Sequence, residues 1–377
     1  MSPRRTLLTA HAATAAGVSG VSLIAPGLPE LATWYGVGVD TVAQLQMAVM
    51  LPGVLAGVFM SLIAPRLSPR VFLGSGSVLF GVSGFMLVFV TDFALAVVLR
   101  LCQGWGSGVL VSSGFALLRR LDEPARTRAT GNNSALITAM MVVLPLTGAA
   151  LGVIAPTAPF AAYVLALGVA LLARGGTDHV PLGRTRTSAR TRTVGPGLVV
   201  VLGSTVLLNT VFFGWLLYLT PILLAQSFTL SVELRGMVLA AQSLVATCVT
   251  LAFARLCPRG RERGTTLMGW ALVGSVFVTL AVTTDPLLGL LLLIAAGGFH
   301  GATNPVMVGI VGAMGDERLL GWWHSATRLG QILGPGIAAL AYTSEHAPTA
   351  LLYGASLSAC GLLCAVFLPR PDRYEVG

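Results

Sequence analysis

Residues 100–108 read R-L-C-Q-G-W-G-S-G, a permanent charge, an amide and three glycines inside an otherwise apolar run. In hydrocarbon a guanidinium costs several kcal/mol unless it faces protein or a wet cavity. Arg100 therefore has a task, and the run around it is long enough to cross a bilayer. The composition of the whole chain agrees: of 377 residues, 55% are hydrophobic and only 10% charged. That excludes a water-soluble globule and describes a polytopic membrane protein. The 45 glycines and 20 prolines suit helices that pack closely and bend in lipid. The five cysteines, Cys102, Cys248, Cys257, Cys360 and Cys364, lie mostly in apolar runs without zinc-ligand spacing and read as packing residues.

Working outward from Arg100, apolar spans fall near 7–29, 41–64, 71–91, 93–118, 131–154 and 156–174, then 196–224, 234–256, 265–284, 286–314, 320–343 and 347–368. The predicted fold is all-α, with twelve transmembrane helices. Every basic residue is arginine, and 20 of 23 lie at the termini or in the even-numbered loops. Opposite them stands only Arg235, while Arg100 and Arg328 sit within spans. The positive-inside rule then places both termini in the cytoplasm, in a multi-pass protein of the cell (inner) membrane with an uncleaved first helix. The net charge of +9 reflects this loop bias, so no nucleic acid is expected as a partner.

The longest polar interval, 175–195, is a basic linker that divides the spans six and six. It separates an N-terminal bundle, 1–174, from a C-terminal bundle with a short tail, 196–377. An offset of 193 aligns the two: Val39-Asp40 meets Val232-Glu233, and Pro65, Arg66 and Arg70 meet Pro258, Arg259 and Arg263. Thr91-Asp92 meets Thr284-Asp285, and Gly104 and Gly108 meet Gly297 and Gly301. After a three-residue slip, Gly131, Pro145 and Ala149 meet Gly321, Pro335 and Ala339. A series that keeps order and topology reads as an internal duplication. Arg100 falls opposite Leu293, so the charge is not part of the duplicated scaffold.

These residues resemble the major facilitator superfamily over nearly the whole chain. Arg100-x-x-Gln103-Gly104-x-Gly106 is similar to its fourth-helix signature, R-x-x-Q-G-x-G. The loop Ser61–Arg70 stands where the family has G-x-x-x-D-R-x-G-R-R, with Pro65 in place of the acid and Ser68 in place of the next glycine; Arg66 and Arg70 are kept. A pattern of the drug/proton antiporter branch, G-x8-G-x3-G-P-x2-G-G, is partial in helix 5: Gly131, Pro145 and Gly148 fit, whereas Met140, Leu144 and Ala149 depart. Helix 11 carries a fuller copy, Gly321, Gly330, Gly334 and Pro335, followed by Ala338-Ala339. The resemblance implies two six-helix bundles and leans toward efflux. It also implies a central cavity lined by helices 1, 4, 7 and 10.

Polar residues on those helices are the candidates for substrate binding or coupling: His11, Arg100, Gln103, Asn209 with Tyr218, His300 and Asn304. His300 and Asn304, four apart, share one helical face. On helix 11, His324, Arg328 and Gln331 cluster with Pro335 on one side, and the pair Gly330/Gly334 lies on another, suited to packing against a neighbour. Arg328 lies about 12 Å from the cytoplasmic end of its helix, with snorkelling as the alternative to a cavity role. Arg100 either fixes helix ends by hydrogen bonds or serves coupling. All fourteen acids lie in loops or near span ends. Proton coupling needs a titrating group, which leaves Glu30 and Asp40 at the outer ends of helices 1 and 2, or the three histidines, whose alternative is hydrogen-bonded packing. The aromatics of helix 7, Phe212, Phe213, Trp215 and Tyr218, read as packing or, on a cavity face, as a site for a planar substrate. Asn132 and Asn133 are expected to cap helix 5.

The expected function is secondary active transport: proton-coupled export of a small hydrophobic or amphipathic compound. The alternative is uptake or exchange of a small organic anion bound by Arg100 and Arg328. No cofactor, metal or enzymatic activity is expected, since there is no soluble domain, phosphate loop or nucleophile-base pair. The partners are a small-molecule substrate, protons and the bilayer, and the chain is expected to act as a monomer.

Overall fold

Apolar runs in lipid must satisfy every backbone group within the segment, which leaves the helix as the form available to them. The computed structural model describes residues 3–63, 68–118, 121–122, 125–174, 196–256, 261–313, 317–342 and 347–369, and helix occupies each of the twelve predicted spans. The first six contain α1 (Pro3–Ser22), α2 (Leu28–Tyr35), α3 (Ala43–Ile63), α4 (Pro69–Met86), α5 (Phe93–Leu118), α6 (Ala125–Gly152), α7 (Ala158–Ala161) and α8 (Leu167–Arg174). The last six contain α9 (Pro196–Val211), α10 (Thr220–Gln226), α11 (Val232–Leu256), α12 (Glu262–Val282), α13 (Pro286–Ala313), α14 (Glu317–Ala341) and α15 (Ala347–Val366). Among the described residues, eight helices are long and apolar enough to cross a membrane.

Among the described residues, three spans are interrupted. Between α1 and α2 runs a single 3-10 turn, Ala25–Gly27, with Pro26 inside it; Pro26 has no N–H to continue the α-helical ladder. α2 then stops at Gly36, whose φ of 63° is the left-handed conformation open to glycine. α7 and α8 are joined by a 3-10 stretch, Ala162–Ala166. Between α9 and α10 the chain widens into a π-helix, Phe212–Leu219. There the Thr220 N–H reaches back to the Trp215 carbonyl, just before Pro221, and the Thr220 hydroxyl donates to the same oxygen at 3.0 Å.

The chain forms two compact units. The first comprises residues 1–186 with Ser231–Met237, the start of α11. Its packing centres on α5, and the glycines of the opening stretch explain why. A Cβ at Gly104 would overlap the Val49 carbonyl of α3, one at Gly108 would press on Ala56 and Gly53, and one at Gly106 would lie 2.6 Å from the Phe80 nitrogen of α4. The stretch thus admits two neighbouring backbones on two faces. Ser107 between them donates to the Gly17 carbonyl of α1 at 2.7 Å.

The second unit comprises residues 187–230 and 238–377 and repeats the device. Gly297 and Gly301 of α13 admit the Gln242 and Ala246 carbonyls of α11, as Gly104 and Gly108 admit α3. Gly330 and Gly334 of α14 admit α9 and the π-helix through Val206, Thr210 and Gly214, the packing role expected of that pair. Pro305 lies inside α13 and cannot bond the Gly301 carbonyl; Thr250 of α11 donates to that oxygen instead, at 3.1 Å.

Two local expectations are corrected. Helix 5 begins at Ala125, a polar turn and a half before its apolar run, so Asn132 and Asn133 lie inside the helix and cap nothing. Cys248 and Cys360 are exposed on helix surfaces instead of packed; Cys257 lies outside the described residues.

Candidate functional site

Arg100 is fully buried within the first unit. Its Nη1 donates to Gln103 Oε1 at 2.7 Å, one turn along α5, and to the Tyr163 hydroxyl at 3.4 Å. Its guanidinium carbon lies 5.4 Å from the Phe160 ring centroid and 5.7 Å from that of Tyr163, so two aromatic faces supply part of the stabilisation that an acid would give. No described acid pairs with it, and its Nε and Nη2 have no hydrogen-bond partner. Gln103, also fully buried, leaves its amide nitrogen unbonded.

Nothing in the local sequence pattern of Tyr163 points 63 positions back to Arg100. Its place is set by the 3-10 stretch between α7 and α8. From there its hydroxyl donates to the Gly20 carbonyl at 3.1 Å, near the C-terminal end of α1, where Ile24 N bonds Val21 instead of Gly20. Such an orphan carbonyl needs a donor. The order Arg100, Tyr163, Gly20 therefore ties the charge on helix 4 to the break in helix 1. Tyr163→Phe should increase amide exchange at Leu23 and Ile24, measured by hydrogen exchange, without lowering overall thermal stability by more than a few degrees.

The other candidates separate by what their polar atoms already do. His11 Nδ1 lies 2.9 Å from Asn133 Oδ1, which joins α1 to α6. Arg70 donates to the Arg174 carbonyl at 2.6 Å and so caps the C-terminus of α8; Arg66 lies outside the described residues. Pro145 lies where α11 passes close to α6: a Cβ at Gly236 would lie 2.9 Å from the Pro145 carbonyl oxygen. Asp40 is exposed. Glu30 makes a two-pronged ion pair with Arg235, Oε2 accepting from Nη1 at 3.1 Å and Oε1 from Nη2. Arg235 is 2% exposed and Glu30 36%. Glu30→Gln should therefore lower stability by an amount between the ~1 kcal/mol of an exposed pair and the ~3–5 kcal/mol of a buried one, measurable by thermal unfolding.

In the second unit, Asn209 is buried and its amide nitrogen donates to the Thr205 carbonyl at 2.9 Å. Trp215 donates to the Ala350 carbonyl at 2.7 Å; it and Tyr218 are packed inside the unit. Arg328 donates to Gln331 at 3.2 Å, and the ring of His324 meets Trp323 edge-on at 4.9 Å. Gly330, Gly334 and Pro335 are buried in the packing of α14. His300 is different: its imidazole stacks on Phe212, centroids 4.2 Å apart and planes tilted by 31°. His300 and Asn304 are half-buried, make no hydrogen bond with any described residue, and their polar atoms are not sealed from the surroundings.

A sequence model described as Major Facilitator Superfamily matches residues 10–220 and 202–377. No curated protein matches the chain by sequence. Among solved structures, a D-xylose–proton symporter superposes with a TM-score of 0.80 at 14% identity, over 99% of each chain. A bacterial homologue of the human lysosomal transporter Spinster, inward-facing and occupied, gives 0.74 at 14% identity over 98% of this chain and 95% of that one. The human organic anion transporter MFSD10 (TETRAN) gives 0.68 at 18% identity, over 97% and 100%. At such identities the superpositions carry the fold alone, while the sequence model, which spans nearly all of the chain, carries the family: the chain belongs to the Major Facilitator Superfamily of membrane transporters.

Proposed function

We propose that this protein is a proton-coupled secondary transporter that exports a small hydrophobic or amphipathic compound by alternating access, acting as a monomer in the cell (inner) membrane with both termini in the cytoplasm. The observation that carries this reading is the stack of His300 on Phe212. It sets an imidazole, a group able to take up and give up a proton, against an aromatic face, with no hydrogen bond from its ring nitrogens to any described residue. A coupling site needs such a group in contact with the surface that receives the substrate. Export is supported by the likeness of Gly321, Gly330, Gly334 and Pro335 to the antiporter pattern. In proteoliposomes, substrate movement should stop when the pH gradient is collapsed, and His300→Gln should flatten its pH dependence. Unchanged profiles in His11→Gln, His300→Gln and His324→Gln would move the coupling role to Glu30 or Asp40.

A second reading, exchange of a small organic anion, is favoured by one observation: buried Arg100 pairs with no acid among the described residues and has two unbonded nitrogen groups. Buried charge calls for a counter-charge. A strict requirement for an anion on the trans side of the membrane would select this reading over proton coupling.

A further inference from the structure

The transporter reading leaves the chemistry of the cargo open, and the helix face bearing His300 and Asn304 narrows it. Polar side chains inside apolar helices ordinarily turn back onto the carbonyl one turn earlier. Their neighbours do so: Thr303 donates to the Phe299 carbonyl at 2.7 Å, Asn209 to Thr205 at 2.9 Å, and Thr205 to Val201 at 2.8 Å. Asn304 does not. The one backbone acceptor released nearby by Pro305, the Gly301 carbonyl, is taken by Thr250, so local backbone repair makes no demand on Asn304. Its amide keeps a donor and an acceptor on one planar head, neither engaged nor sealed off. One turn away the Phe212 ring fixes the plane of the His300 imidazole, whose neutral form adds one donor and one acceptor. Gly297 and Gly301 hold this part of α13 against α11, which limits how far the face can shift.

Two features of a ligand follow. An amide with both edges free pairs best with a group that presents an N–H beside a C=O, since two parallel hydrogen bonds then form in one plane. An imidazole held flat by an aromatic ring favours a planar partner. We propose that the Phe212–His300–Asn304 face of the second unit recognises a planar heteroaromatic compound carrying a cyclic amide, with Asn304 the specificity-determining residue. This rests on the transporter reading above but makes a separate claim about recognition.

The test uses the full chain in lipid nanodiscs, titrated with carbostyril, a planar bicyclic lactam, and with its N-methyl derivative, which keeps the ring and the carbonyl but lacks the N–H. Binding is followed by calorimetry. Carbostyril should bind at least about tenfold more tightly than the N-methyl compound, the cost of one unmet buried hydrogen bond. Asn304→Leu should erase that ratio. Asn304→Asp, nearly the same shape, should weaken carbostyril by about tenfold by removing the donor to its carbonyl. Phe212→Leu should weaken both ligands while preserving the ratio. Equal affinities in the native protein, or a ratio that survives in Asn304→Leu, would overturn the proposal. Proton-driven transport that persists alongside equal affinities would leave the transporter reading standing and the recognition claim refuted; a binding ratio without any proton-driven transport would do the reverse.

Discussion

Arg100→Met is expected to abolish transport while leaving the folded protein as stable as before, or more so. The expectation follows from how incompletely the charge is satisfied. Arg100 is fully buried, pairs with no described acid, and has unbonded Nε and Nη2. Replacing buried charge by an apolar side chain of similar volume is often neutral, or stabilising by about 1–4 kcal/mol. Were the residue only structural, methionine would suffice. The duplication supports a functional role, since the glycines around Arg100 recur in the second unit but the charge does not. What methionine cannot do is hold Gln103 and the Tyr163 hydroxyl, and through Tyr163 the carbonyl at the break of helix 1. Misplacement on the scale of an ångström costs roughly a hundredfold in rate, and that is the size of loss expected in flux. Lysine should not restore it, because a compact ammonium cannot stack on the Phe160 and Tyr163 rings as the planar guanidinium does. The measurement pairs thermal unfolding with flux; native flux in the methionine variant would remove Arg100 from the mechanism.

Gly148→Ala should do the opposite and act on the fold. A Cβ at Gly148 would overlap the Leu23 carbonyl oxygen, a backbone atom between α1 and the 3-10 turn at Ala25, where no side chain can rotate out of the way. Overpacking of this kind costs about 3 kcal/mol, enough to deplete the folded form. Gly131→Ala, on the same helix with nothing within 4 Å of the added atom, serves as the control and should be tolerated. Size-exclusion profiles and unfolding temperatures of the two variants check the contrast.

Much of this architecture was legible because lipid turns composition into structure. An apolar run of about twenty residues has one backbone solution, so the twelve spans that helix occupies are legible in the sequence, and the duplication can be read from Gly104, Gly108, Gly297 and Gly301, whose packing repeats. Hydropathy counts side chains, however, and is blind to how the backbone bonds. It carried no sign of the π-helix at Phe212–Leu219 or the 3-10 turn at Ala25–Gly27, and it missed the polar first turns of α6. The partners of the charged groups were hidden for another reason: Tyr163, Asn133 and Arg235 lie 63, 122 and 205 residues from Arg100, His11 and Glu30, and no local pattern carries such distances. Helix 7 shows both sides, since of its four aromatics Trp215 and Tyr218 are buried inside the unit while Phe212 stacks on the candidate His300.

Proton coupling through the second unit is tested most directly by reconstituting the chain in proteoliposomes and following a planar amphipathic dye such as acridine orange while a pH gradient is imposed and then collapsed. Dye movement in the native protein should depend on the gradient, stop on its collapse, and lose its pH dependence in His300→Gln. Dye movement that ignores the gradient in the native protein, or a His300→Gln profile that matches it, would contradict the account.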